Sequence, residues 1–152
     1  MQALNENQWS KLWFEMRIAA SPDVVFQAFA TDRGLESWFG PVSPYQSPQG
    51  RSRTADELVQ PGDRFAWKNF GLEGDATGVV IVATAPRNLT FALANERLCV
   101  RVKIHAEGAG SRIEVIEESV PASPGMRLAW EKDGRMDWTS RLLRLKDACE
   151  AR

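Results

Sequence analysis

The chain has 152 residues, 43% apolar and 26% charged, and its 19 basic and 20 acidic side chains leave a formal net charge of -1. That length fits a single domain over residues 1–152 with a real core, and the balanced charge argues against nucleic acid as a partner. No apolar run approaches the roughly 20 residues that cross a bilayer, and the polar opening MQALNENQWSK lacks an apolar signal core, so the expectation is a cytoplasmic protein without membrane insertion.

In chain order, Lys11 to Ile18 alternates. Leu12, Phe14, Met16 and Ile18 share one face, and Lys11, Trp13, Glu15 and Arg17 share the other, which is the period of a half-buried strand. Ser21-Pro22-Asp23 reads as a helix start, with Ser21 as cap and Pro22 in the first helical position. The spacing predicts a short helix over about Pro22 to Ala30 and a second over about Asp32 to Phe39, with Leu35, Trp38 and Phe39 on one face. From Gly40 to Pro61 the pattern fails. This stretch carries Pro41, Pro44, Pro48, Arg51 and Arg53 and reads as a long loop, with a short strand near Asp56 to Val59 as one option. Pro44 to Ala55 is expected to be among the least ordered segments, because it lacks periodic apolar residues and carries Arg51 and Arg53 without local partners.

Strand signals follow. Arg64 to Lys68 puts Phe65 and Trp67 on one face. Ala76 to Thr84 is a β-branched run, too apolar for an exposed strand. Leu89, Phe91 and Leu93 align, then Leu98, Val100, Val102 and Ile104, then Ile113 and Val115. Short links between them imply an antiparallel meander. The remainder is helical. Trp138, Leu142, Leu145 and Cys149 form one stripe, with Arg141, Arg144 and Lys146 beside it, and the helix starts between Pro124 and Asp137. Gly134 marks either a kink or that start.

Several of these segments together resemble the START-like (SRPBCC) superfamily. Ile18-Ala19-Ala20-Ser21-Pro22 with Val25-Phe26-Gln27-Ala28-Phe29 is similar to its opening, and Thr31-Asp32 through Leu35 and Trp38-Phe39-Gly40 to its second helix. Pro61-Gly62-Asp63-Arg64-Phe65 and the span Gly78-Val79-Val80 to Leu89-Thr90-Phe91 are similar to its strand motifs, and Trp138, Leu142, Leu145 and Lys146 to its closing helix. Within the superfamily the chain resembles the branch of homologues of the activator of the heat-shock-protein-ninety ATPase, over about residues 12 to 150. The resemblance implies an α+β helix-grip fold: a curved antiparallel sheet of about six to seven strands around a long C-terminal helix, two short helices after the first strand, and an apolar cavity between sheet and helix.

Against that frame the chain's aromatics, six tryptophans and seven phenylalanines, stand out. Trp38, Phe65, Trp67, Phe91 and Trp138 fall on inward faces, where they either fill the core or line a ligand cavity. Glu117 continues the inward alternation of Ile113 and Val115. It is then a solvated group at a cavity mouth, a polar anchor for a ligand, or a residue turned outward by a bulge. His105, the one histidine, shares a face with Arg101 and Lys103 and reads as a surface residue. Cys99 and Cys149 read as reduced thiols, with no spacing for a metal site.

No nucleophile constellation and no phosphate loop can be assembled, and no cofactor is implied. The leading reading is a module that binds a small hydrophobic or aromatic molecule through Trp38, Phe65, Trp67, Phe91, Glu117 and Trp138. The alternatives are a chaperone-regulator-like interaction protein and a cyclase- or hydratase-type enzyme using the same pocket, with Asp63 or Tyr45 as further acid/base groups. Trp9 and Trp13, on the polar side of the first strand, are candidates for a homodimer contact.

Overall fold

The computed structural model describes residues 10–68, 75–93, 97–119 and 124–152, with the side chains of residues 11–68, 75–93, 97–119 and 131–152. The elements are β1 (Ser10–Ile18), α1 (Pro22–Ala30), α2 (Asp32–Glu36), β2 (Val42–Gln46), β3 (Arg64–Trp67), β4 (Ala76–Thr84), β5 (Asn88–Leu93), β6 (Leu98–Glu107), β7 (Gly110–Ser119) and α3 (Pro124–Glu150). The strands form one antiparallel sheet in the order β1-β7-β6-β5-β4-β3-β2. The inward residues of the strands and the stripe Trp138, Leu142, Leu145 and Cys149 of α3 bury one another, which makes the core. α3 lies against β1 and α1. This is the helix-grip arrangement the sequence implied, with the helix starting at the early end of the expected interval.

Local chemistry fixes the α1–α2 corner. Ser21 Oγ accepts from Val24 N–H at 3.3 Å and caps α1. Thr31 both ends α1 and starts α2: its N–H reaches Gln27 C=O, and its Oγ1 accepts from Gly34 N–H at 3.0 Å. A Cβ on Gly34 would stand 2.0 Å from Gln27 O, so only glycine lets the two helices meet this closely. α2 is shorter than expected; Trp38 and Phe39 follow it in a turn and are still buried.

Two expectations are corrected. The loop predicted from Gly40 to Pro61 contains a strand, at Val42–Gln46 rather than near Asp56 to Val59. β2 has little apolar periodicity because polar bonds hold it: Tyr45 N–H donates to Asp32 Oδ1 at 2.8 Å, and Tyr45 Oη donates to Phe29 C=O at 2.8 Å. Pro44 is tolerated because β2 is an edge strand. Nor do the arginines that follow lack partners. Arg53 makes a two-pronged bond to the fully buried Asp63 (2.8 and 2.9 Å) and another to Glu57 (2.6 Å), and Arg51 pairs with Glu57 at 3.0 Å. The expectation that Arg51 and Arg53 lack local partners is corrected by these bonds. The second correction concerns β4. A register shift between Val80 and Val82 turns Ile81 and Val82 both to solvent, 49% and 36% exposed, so this run is half-exposed despite its composition.

Candidate functional site

The structure gathers the inward aromatics into a connected row of rings. Phe91 of β5 meets Trp67 and Phe65 of β3, with centroids 5.1 and 5.4 Å apart. Trp67 meets Phe39 at 4.6 Å, and Phe39 in turn meets Trp38 at 5.2 Å and Trp138 of α3 at 6.3 Å. All five predicted rings therefore lie on one interior surface, and each is buried. Trp38 is also a fastening: its Nε1 donates to Ala28 C=O at 2.7 Å. Phe39, which joins the sheet rings to α3, was absent from the candidate set although its inward placement was legible.

Glu117 stands beside this row. β7 sets it opposite Leu12 of β1 and Val100 of β6 with unbroken register, so its side chain stays on the inner face. It is 3% exposed. Two of the three readings open from the sequence, a solvated mouth residue and a bulged-out one, are thereby corrected. The cause is α3, which begins early enough to roof the end of β7.

α3 meets Glu117 with one stripe, Gly134, Trp138 and Arg141. Trp138 Nε1 donates to Glu117 Oε1 at 3.1 Å. Glu117 Oε2 has no hydrogen-bond donor among the described residues. A Cβ at position 134 would lie 2.7 Å from Leu12 Cδ1 and 3.4 Å from Glu117 Oε2. Gly134 thus lies inside α3 rather than at its start, at a close approach between helix and sheet. Arg141 is buried, with its guanidinium carbon 5.0 Å from the Phe39 ring centre and 5.8 Å from that of Trp138. The sequence reading placed it beside the apolar stripe. Its position three residues after Trp138 and four before Leu145 is nevertheless a buried slot, and that spacing was the signal that could have found it.

Burial pushes the Glu117 carboxyl up to about 7, against the opposing pull of the Trp138 N–H and the Arg141 charge. Burial likewise lowers the Arg141 guanidinium from its ordinary value, with Asp137 and Glu117 acting the other way. A carboxyl that titrates near neutrality, with one oxygen held and one open, can accept a hydrogen bond when ionised and donate one when protonated.

The other candidate acid/base groups are engaged elsewhere. Asp63 is bound by Arg53 and by Gln60 N–H, and Tyr45 by the Phe29 carbonyl. His105 lies on the outer face, its Nε2 2.6 Å from Glu114 Oε2. Among the described residues no group of His, Cys, Asp and Glu could hold a metal ion, and no helix is long and apolar enough to cross a membrane. An open groove of about 620 Å³ lies where β2 to β5 turn Ser43, Gln46, Arg64, Thr77 and Ile81 outward; of the six predicted site residues only Phe65 lines it.

No family model matches the chain, and no curated protein matches it by sequence. Solved structures do. The Aha1 dimer from Colwellia psychrerythraea is 19% identical with a TM-score of 0.66, over 93% of this chain and 96% of that one. A Nitrosomonas europaea protein is 16% identical with a TM-score of 0.69, over 98% and 99%. A Staphylococcus aureus protein of unknown function is 10% identical with a TM-score of 0.74, over 94% of each chain. At such identities the likeness is one of fold, and by fold this chain is an α+β helix-grip domain, an architecture it shares with that Aha1 protein.

Proposed function

We propose that the chain binds a small apolar or aromatic molecule between the sheet and α3. Trp38, Phe65, Trp67, Phe91 and Trp138 supply the apolar contact, and Glu117 orients the ligand through a hydrogen bond. The observation that carries this reading is Glu117 Oε2, a deeply buried carboxyl oxygen with no donor among the described residues. An unmet polar atom in an apolar interior costs free energy that an aliphatic side chain would not. A ligand hydroxyl or N–H would remove that cost. The rings touch one another in this state, so the ligand enters by parting them, and each Å² of its apolar surface removed from water contributes about 25 cal/mol.

Calorimetric titration with 1-naphthol, a neutral aromatic alcohol, tests the proposal. Saturable binding is expected, weakened about tenfold in Glu117→Gln, the equivalent of about 1.4 kcal/mol for one lost hydrogen bond, and weakened also in Trp67→Ala. Binding unchanged in both variants would place the site elsewhere.

A second reading, self-association, is favoured by Trp13, an indole 50% exposed on β1, and by the dimeric state of the Colwellia protein. Trp9, the other half of the expected contact, lies outside the described residues.

A further inference from the structure

β1 ends the sheet, and the direction of its backbone groups can be read. A Cβ on Gly110 of β7 would stand 2.5 Å from Ile18 O, so that carbonyl points toward β7. Arg17 C=O instead accepts from Lys146 Nζ at 3.4 Å, and Ala19 N–H donates to Glu150 Oε2 at 2.7 Å. Alternation along a strand then turns the N–H and C=O groups of Lys11, Trp13 and Glu15 to the open edge. Lys146 and Glu150 close that edge beyond Arg17; over Lys11 to Glu15 no strand pairs with it among the described residues. The side chains match an uncovered edge. Phe14 and Met16 are only half-buried on the inner face, Trp13 is half-exposed, and Lys11 has no ion-pair partner among the described residues.

We infer that β1 pairs antiparallel with β1 of a second copy about a two-fold axis at Trp13. The inference rests on the self-association reading and adds its surface and register. With Trp13 opposite Trp13, Lys11 of each copy faces Glu15 of the other, two opposite-charge pairs flanking an indole pair, while the outward backbone groups of residues 11, 13 and 15 bond across the axis. Neighbouring registers do worse. Centring on Lys11 or Glu15 sets like charges opposite each other, centring on Phe14 sets Lys11 against Arg17, and centring on Leu12 leaves Glu15 without a cation. An isologous contact requires a self-complementary strand, and Lys11-Leu12-Trp13-Phe14-Glu15 is one.

Sedimentation equilibrium on the full chain decides between outcomes. The expected results are a wild-type dimer, monomers for Lys11→Glu alone and for Glu15→Lys alone, and a heterodimer when the two variants are mixed, because the mixture restores both opposite-charge pairs. Lys11→Glu by itself carries the test if Glu15→Lys misfolds through loss of its 3.2 Å bond to Arg112. A wild-type dimer that persists in Lys11→Glu overturns this register and leaves self-association standing through another surface. A wild-type monomer at high concentration overturns both.

Discussion

Glu117 is where a single residue sets a property of the folded state. Its carboxyl rises from an ordinary 4.5 to about 7 because burial disfavours the charged form. A group whose folded value is raised binds its proton more tightly in the native chain. Its contribution is therefore fully present below about pH 4.5 and is lost as pH climbs to about 7, a swing of about 3 kcal/mol. Glu117→Gln keeps the shape and removes the titration. Urea unfolding at pH 5 and pH 8 should show the variant gaining on the wild type at the higher pH by an amount of that order; parallel pH dependences would mean that the carboxyl is not held as described. Arg141 shares the site, and its cost is moderated by the Phe39 and Trp138 faces beneath its guanidinium.

At the scale of elements, the fold depends on a few close approaches as much as on apolar pattern. Gly34 is the clearest. Alanine there would gain about 1 kcal/mol of helix propensity in isolation, yet its Cβ would meet the Gln27 carbonyl oxygen at 2.0 Å. Backbone cannot yield as a side-chain tip can, so Gly34→Ala should lower stability by about 2 kcal/mol or more, read as an earlier thermal midpoint; a midpoint at or above the wild type would show that α1 and α2 separate freely. The same contrast explains what the sequence disclosed. β1, β5, β6 and the inner stripe of α3 were legible because alternation or helical spacing of apolar residues follows from burial on one side. β2 was not, because Tyr45 is held by a backbone carbonyl and the Asp32 carboxylate, which no periodicity records. The outward turn of Ile81 and Val82 was hidden by a register shift in β4. Glu117 was legible as inward by parity, but its burial depended on where α3 begins. Arg141 was obscured because charge weighed more than spacing.

At the scale of the molecule, structures 10–20% identical to this chain share its fold over most of its length. On a scaffold that tolerates such divergence, the proposed binding rests on the side chains between sheet and helix. Here those are a row of rings, one open carboxyl oxygen and one buried guanidinium. A neutral ligand with a hydrogen-bond donor suits the proposed site, since the buried Glu117 Oε2 lacks a hydrogen-bond partner among the described residues. The most direct test is a carboxyl-carbon NMR titration of Glu117, labelled at that position, with and without 1-naphthol. The expected midpoint is near 7 in the free protein, displaced by 1-naphthol as its hydroxyl bonds to the carboxylate. A carboxyl that titrates in the ordinary range near 4.5 and is indifferent to the ligand would contradict it.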